Sequence, residues 1–257
     1  MERINERKPS GIGGNGLRTW GMVFLALGVF GRGILQGRLL GAGSVTGEQL
    51  LAIMNSSGTA MTIASISLVL QAVETCAAPI FAFLLVEGVE HTSGMKNYLL
   101  RMLGLAVVTE IPYNLAISGK LLVRFSLNPV FGMLLCLILL WFFRYYEGNG
   151  LGKTLIKIVV TIAAILWAQM LHIDFGAPMV ILTTVLWFMR RWPSFRGFVG
   201  AAAAVVCTLF TPFFLASPMG FLAVHLYNGE QGTMNRWARY LMFPAILLIV
   251  ALARILL

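Results

Sequence analysis

Glu87 and His91 are spaced for proton-transfer chemistry. They are four residues apart, so in a helix the carboxylate lies one turn before the imidazole. A carboxylate at that position can orient the ring and raise its basicity, as in a general base. The same spacing also suits a simpler role, in which an interfacial histidine caps the C-terminal end of a helix. We treat Glu87 and His91 as candidate catalytic residues, with capping as the alternative.

Arg32, Glu74 and Glu110 interrupt long apolar runs. A charged side chain inside a membrane is costly, so each is a functional candidate by default. A rise of 1.5 Å per helical residue places all three at about 20 Å from one membrane edge. We expect Arg32 to pair with Glu74, Glu110 or both, because its planar guanidinium can bind two carboxylates. The alternative is a buried ion network that only fixes helix register.

The composition indicates the class of protein that positions these residues. Of 257 residues, 58% are hydrophobic and 11% are charged, whereas a soluble domain has roughly 25% charged residues. These values exclude a soluble enzyme, a disordered regulator and a secreted disulfide scaffold. The apolar residues form long runs without alternation, which excludes a transmembrane barrel. The predicted fold class is all-α: a polytopic helical membrane protein with about eight or nine transmembrane helices.

Apolar runs of about 20 residues predict the spans. The predicted spans are 18–40, 60–89, 96–117, 127–145, 153–172, 175–190, 195–210, 213–227 and 235–256. Eight crossings remain the alternative, because 195–227 is short for two spans. We predict a cytosolic N-terminal tail over 1–17 and a single polytopic transmembrane domain over 18–257. The largest outer loop is expected at 41–58, and Asp174 is expected in a solvated outer turn.

The distribution of basic residues predicts the orientation. With the N-terminus in the cytosol, fourteen of the nineteen Lys and Arg residues fall in inner segments and four in outer ones. This bias is typical of cytosolic loops, and nine crossings would place the C-terminus outside. It also explains the net charge of +9 without a nucleic-acid partner. No metal site or disulfide is expected, since each cysteine lies alone in a different apolar run: Cys76, Cys136 and Cys207.

Four motifs, taken in chain order, resemble those of the TraX family. They are Pro79-Ile-Phe-Ala-Phe-Leu-Leu-Val-Glu-Gly-Val-Glu-His91-Thr92, Tyr98-Leu-Leu-Arg101, Glu110-Ile-Pro-Tyr-Asn114 and the turn Tyr227-Asn-Gly-Glu-Gln-Gly232. The resemblance covers roughly residues 17–250. It implies a bacterial inner-membrane protein, similar to the wider group of multi-helix membrane acyltransferases.

The TraX resemblance also implies an activity. The family's namesake acetylates pilin in conjugation, which implies acetyl-CoA or another acyl-CoA as a cytosolic co-substrate and a pilin-like or other membrane-adjacent acceptor. Two places depart from the family pattern. The family usually has Asp-His in its first helix, where this sequence has Gly28 and Val29. It also tends to have Gly-Arg before the Pro-Phe block, where this sequence has Glu74 and Thr75.

The leading interpretation is therefore a TraX-like acyltransferase with His91 as base, Glu87 orienting it, and His225 as the next candidate base. Alternatives are a non-catalytic TraX-like membrane scaffold or binding protein, and a small-molecule transporter that uses the layer of Arg32, Glu74 and Glu110. A further group of residues is expected near the substrate or acyl-CoA. It comprises Lys96, Arg101, Tyr113, Asn114, His225, Tyr227, Asn228 and Glu230, with Arg190, Arg191 and Arg196 as further phosphate contacts.

Overall fold

A computed structural model describes residues 11–43, 47–123, 126–148, 150–232 and 234–257. These residues are 81% helical and form no strand, which confirms the all-α class. Four helical segments are long and apolar enough to cross a membrane: Gly14–Leu39, Gly58–His91, Met95–Ser118 and Leu151–Met170. Shorter apolar helices accompany them, so the described part of the chain has the character of a helical membrane protein.

The α-helices are numbered in chain order. Their bounds are α1 Gly14–Phe30, α2 Gly47–Ser56, α3 Gly58–Glu74, α4 Ala77–His91, α5 Met95–Ser118, α6 Pro129–Tyr145, α7 Leu151–Met170, α8 Gly176–Met189, α9 Pro193–Val206, α10 Gly220–His225 and α11 Arg236–Leu256. A π-helix continues α1 over Gly31–Leu39. Short 3₁₀ segments, Cys207–Leu209 and Pro212–Met219, lie between α9 and α10, where the prolines predict a break.

The predicted span 60–89 is divided into α3 and α4 by a turn at Thr75 and Cys76. The Thr75 hydroxyl bonds to the carbonyl oxygens of Ala72 at 2.7 Å and Phe213 at 3.1 Å. Pro79 does not cause the break. It lies in the first turn of α4, where a missing N–H group costs little because those N–H groups have no intrahelical partner.

Two expectations about loops and tails need correction. The segment 41–58, expected as an outer loop, contains α2, which has no buried residue and packs mainly on α3. Its Leu, Ala and Met residues are good helix formers, and the Gly and Ser residues lie at its ends. Residues 1–10 of the predicted tail, like residues 44–46, lie outside the described residues. Helix α1 begins at Gly14, before the predicted start at residue 18.

Hydrogen bonds and ion pairs show which helix ends lie together. Arg144 at the end of α6 donates to the carbonyl oxygens of Val89 and Thr92, both at 3.0 Å. Arg190, which follows α8, forms an ion pair with Glu90 of α4 at the same end. We call this the His91 end. The turn between α7 and α8 lies at the opposite end, which we call the Asp174 end, where Leu127 before α6 pairs with Ile173.

Candidate functional site

Arg32 holds two carboxylates from different helices. Its Nη2 atom lies 2.6 Å from Glu74 Oε1, and its Nη1 atom lies 2.8 Å from Asp174 Oδ2. The Tyr113 hydroxyl also donates to Asp174 Oδ2. This geometry confirms the expected contact between Arg32 and Glu74. We call these four residues the Arg32 cluster: Arg32, Glu74, Tyr113 and Asp174.

Close approach of α1 and α3 positions the Arg32 cluster. A Cβ atom added at Gly28 would lie 1.9 Å from Glu74 Oε2, so the Glu74 side chain lies directly against the α1 backbone. One turn further, the Ser67 hydroxyl donates to the Gly31 carbonyl oxygen at 2.8 Å. Glu74 is 1% exposed, and a carboxylate buried this deeply needs a partner such as Arg32.

Of the two carboxylates expected as partners of Arg32, Glu74 is in contact with it, whereas Glu110 has other partners among the described residues. Its Oε2 atom accepts hydrogen bonds from Asn128 Nδ2 at 2.6 Å and Asn128 N at 3.2 Å, and its Oε1 atom accepts one from Asn114. Asn128 caps α6 by accepting from the Val130 N–H at 2.9 Å. Glu110 therefore lies at the N-terminus of α6, where the helix dipole favours a negative charge.

Asp174 was expected in a solvated turn, and the structure contradicts this. Its side chain is 22% exposed and belongs to the Arg32 cluster. The reason is helix length: α8 has 14 residues and spans about 21 Å, and α1, which ends just before Arg32, has 17 residues and spans about 26 Å. The α7–α8 turn therefore meets the π-helix that follows α1 at the level of Arg32. His172 in the same turn is exposed.

A cavity of about 270 Å³ opens beside the Arg32 cluster at the Asp174 end. Arg32, Glu74 and Asp174 line it together with Gln71, Gln169 and several phenylalanine rings. The Arg32 Nε atom is buried and has no hydrogen-bond partner among the described residues. This cavity therefore combines charged, amide and aromatic groups, which could bind a small polar ligand.

Glu87 and His91 meet at the other end of the bundle. His91 Nδ1 lies 2.9 Å from the Glu87 carbonyl oxygen and 3.4 Å from Glu87 Oε2. Donation of the Nδ1 proton to that carbonyl would leave Nε2 as the basic nitrogen. The other Glu87 oxygen lies 3.8 Å from Arg196, whose guanidinium stacks over the Phe83 ring at 4.5 Å. Glu87 is thus placed between the imidazole and a cation.

Two adjoining cavities, of about 260 and 100 Å³, form what we call the His91 cleft. Arg18, Gly88, His91, Tyr98 and Gln231 line both of them. The larger cavity has apolar walls and a rim that includes Arg18 and Arg101. The smaller one is lined by polar residues of several segments, among them Asn15, Glu87 and Tyr227.

Asn15 is a residue of this cleft that the sequence does not single out. It is 8% exposed, and its Nδ2 atom is buried without a hydrogen-bond partner among the described residues. Its Oδ1 atom accepts from Arg18 Nη1 at 3.1 Å, which fixes the amide orientation. An unpaired buried donor in a cavity is expected to bind an acceptor from a ligand or a water molecule. In the sequence, Asn15 lies in a glycine-rich segment that resembles a linker.

The turn Tyr227–Gly232 serves mainly to hold the start of α1. The carbonyl oxygens of Glu230 and Gln231 accept from the N–H groups of Gly14 at 2.7 Å and Asn15 at 3.0 Å. The N–H groups of Asn228 and Glu230 bond within the protein, to the Ile12 carbonyl and the Asn228 side chain. They are therefore not free for an anion. The same contacts bring Asn15 and Tyr227 into one cleft.

The expected substrate neighbourhood is only partly assembled. Arg101 and Tyr227 line the His91 cleft, whereas Tyr113 and Asn114 lie near the Asp174 end. Among the described residues, the lining of the cleft does not include Lys96, His225, Asn228 or Glu230. Three of the expected phosphate contacts are in ion pairs: Arg190 with Glu90 and Glu147, Arg191 with Glu147, and Arg196 with Glu87. Arg18, which the sequence does not single out, lines both cavities of the cleft and donates to Asn15.

The fold is that of a membrane-like helical protein, with four helical segments long and apolar enough to cross a membrane among the described residues. A family model described as TraX protein matches residues 50–254, which are 205 of the 257 residues. The chain therefore belongs to the TraX family. No curated protein and no solved structure is similar enough to the chain to count as a match. The family match begins after α1, so the departure at Gly28 and Val29 rests on the motif resemblance alone.

The departures from the TraX pattern have a structural explanation. Any side chain at position 28 would place its Cβ atom 2.4 Å from that of Glu74, so only glycine fits on α1 opposite this residue. This chain has the acidic residue on α3 and glycine on α1. The neighbouring Val29 is fully buried, and no imidazole takes its place in α1.

Proposed function

We propose that this TraX-family protein is a membrane acyltransferase that binds acyl-CoA in the His91 cleft. The observation that carries the proposal is the pairing of a base with an apolar cavity under a basic rim. Acyl-CoA joins an apolar acyl chain, through a thioester, to a pantetheine arm that ends in a phosphorylated nucleotide. The larger cavity suits the acyl chain, and His91 lines both cavities, where the thioester would lie. The exposed Arg101 suits the phosphates, which the pantetheine arm carries out of the cleft, while Arg18 holds Asn15.

The roles of the cleft residues follow from their chemistry. The nitrogen of the acceptor amine would attack the thioester carbonyl, and His91 Nε2 would take the proton of that amine. The C–S bond then breaks and CoA leaves as a thiolate, while His91 retains the proton. The Asn15 Nδ2 donor would stabilise the charge that develops on the carbonyl oxygen. The acceptor would be a membrane-adjacent amine, such as that of a pilin-like peptide.

The test of this proposal is binding of acyl-CoA by the purified protein. At a ligand concentration of 100 times Kd, stabilisation of the folded state is about 2.7 kcal/mol, which a thermal unfolding assay in nanodiscs can detect. We expect Arg101→Gln to weaken this protection. The matched control is Arg38→Gln, an exposed arginine outside the cleft. Equal protection in both variants would contradict the proposed phosphate contact, and absence of protection by any acyl-CoA would contradict the function.

We further propose a bacterial inner-membrane location with the His91 end in the cytosol. The positive-inside bias supports this orientation. The helical segments give nine crossings if α3 and α4 count as one, Pro212–Met219 counts with α10, and α2 does not cross. A tag on the C-terminus should then react with an impermeant reagent in intact cells. The control is a tag on the N-terminus, which should react only after permeabilisation. Labelling of both tags only after permeabilisation would favour eight crossings.

A transporter that uses the charged layer is the second candidate, because a cavity opens beside the Arg32 cluster. Intramembrane ionisable groups beside a cavity are typical of substrate pathways. Glu110 has its own partners in Asn114 and Asn128, so the transport site would consist of Arg32, Glu74 and Asp174. Uptake of a small polar solute into vesicles that contain the protein, together with no stabilisation of the protein by acyl-CoA, would favour this candidate. A protein that shows neither property would be a non-catalytic TraX-like scaffold.

A further inference from the structure

We infer that the His91 cleft selects a medium or long acyl chain over an acetyl group. The inference rests on the proposed function and names the substrate class of that site. It depends on the depth of the larger cavity, the nature of its walls and the charge at its rim.

The larger cavity is deep and has apolar walls. Five helices contribute to it, with Leu25 from α1, Phe81 from α4, Leu105 from α5, Met133 from α6 and Phe243 from α11. Along α1 the lining extends from Arg18 to Leu25, a rise of about 10 Å. An acetyl group has a single methyl carbon beyond its carbonyl. It would leave most of this volume without a partner, whereas a longer chain would fill it.

The residues of the wall suit chains of different lengths. Met22, Met102 and Met133 line it, and methionine side chains adapt to irregular apolar groups. The inner limit lies near Leu25, one turn before Gly28, where α1 packs against the Glu74 carboxylate. A chain that grew beyond this point would meet the Arg32 cluster. Affinity is therefore expected to rise with chain length and then level off.

The rim points to an anionic headgroup. Arg18 and Arg101 lie at the mouth of the larger cavity, whose apolar walls continue below them. The positive charge of this mouth is complementary to a polyanionic ligand, whose acyl chain would enter the cavity while its phosphates stay outside. A phospholipid also has this chemistry, but the smaller cavity beside His91 provides Asn15 and Glu87, which suit a reacting group rather than a glycerol backbone. We therefore assign the cleft to acyl-CoA.

The experiment compares CoA, acetyl-CoA, octanoyl-CoA and palmitoyl-CoA for binding to the full chain in nanodiscs. Burial of one methylene contributes about 0.8 kcal/mol, or about fourfold in affinity. We expect octanoyl-CoA to bind at least about 100-fold more tightly than acetyl-CoA, because several methylenes are buried even if the last are not. The gain from octanoyl- to palmitoyl-CoA should be smaller.

Variants that fill the cavity provide the second arm. Met102→Trp and Leu25→Phe should reduce the preference for octanoyl-CoA at least about tenfold, the equivalent of two buried methylenes, while acetyl-CoA binding is retained. Retained acetyl-CoA binding also shows that each variant folds. The matched control is Val107→Trp, because Val107 lies on the exposed face of the same helix as Met102 and is 57% exposed. It should leave the chain-length preference unchanged.

The outcomes separate the inference from the proposed function. Equal affinity for acetyl- and octanoyl-CoA would overturn the inference and leave the acyltransferase proposal intact. Failure of every acyl-CoA to bind would overturn the proposed function. Displacement of octanoyl-CoA by an equal concentration of octanoyl lysophospholipid would assign the cavity to lipid and so contradict the inference.

Discussion

Replacement of Arg32 by alanine is expected to lower the free energy of unfolding by about 3–5 kcal/mol, the usual cost of breaking a buried ion pair. Removal of the guanidinium leaves the Glu74 and Asp174 carboxylates without their shared cation. The Glu74 side chain is 2% exposed, so its charge is poorly hydrated and depends on this cation. The effect can be measured by denaturant titration of the purified protein in detergent micelles.

For variants of the Arg32 cluster, the loss in the free energy of unfolding should depend on how exposed the affected carboxylate is. Asp174→Asn is expected to cost less than Arg32→Ala, because the Asp174 side chain is 22% exposed and Arg32 keeps Glu74. Arg32→Lys should fall between them, since a single ammonium group cannot bind both carboxylates in the same geometry. Arg38→Ala is the control, as Arg38 is exposed in the same π-helical segment. An equal effect of Arg32→Ala and Arg38→Ala would contradict a structural role for the cluster.

Asp174 changes the result expected when the residues at positions 32 and 74 are exchanged. From the sequence alone, Arg32 and Glu74 form a simple pair, and the double exchange should recover part of the loss. In the structure, Asp174 Oδ2 lies 2.8 Å from the Arg32 Nη1 atom. A glutamate at position 32 would therefore face a second carboxylate. The like charges would repel, so we expect no recovery from the exchange. Addition of Asp174→Asn to the exchanged protein should then improve its stability.

The sequence predicts the helices well because run length and composition are local properties. The predicted span 175–190 corresponds to α8, Gly176–Met189, and 127–145 corresponds to α6, Pro129–Tyr145. The errors occur where local signals are weak or compete. Glycine and serine at the ends of α2 conceal its helix-forming centre, and the start of α1 depends on carbonyl oxygens of a turn more than 200 residues away.

The candidate site was less predictable because it depends on which helix ends meet. Arg32 and Glu74 stand out in the sequence, since each interrupts an apolar run and must find a partner. Asp174 does not, because it lies between two runs, where an acidic residue is ordinarily solvated. Its role follows from the short length of α8, whose start lies at the level of Arg32. Glu110 stands out equally well, but its partner Asn128 is uncharged and gives no signal in the sequence.

The last prediction concerns the reaction that we propose for the His91 cleft. His91→Ala should lower acyl transfer by about 10²–10⁴-fold, the usual contribution of a general base. The folded state should change little, because the His91 side chain is 66% exposed. Turnover of acyl-CoA by the purified protein, measured as released thiol with an amine acceptor, provides the readout. Binding of acyl-CoA should persist in the variant, which separates loss of chemistry from loss of the site.

Two further variants distinguish a base from a helix cap. Glu87→Gln should lower transfer less than His91→Ala, because Glu87 orients the imidazole and its backbone carbonyl contact with Nδ1 would remain. His225→Ala is the control: His225 lies at the same end of the bundle and is exposed, but lines neither part of the cleft. If His91 only caps α4, its removal should change transfer no more than removal of His225. If transfer falls with His225→Ala instead, the base is His225 and the reacting group lies outside the cleft.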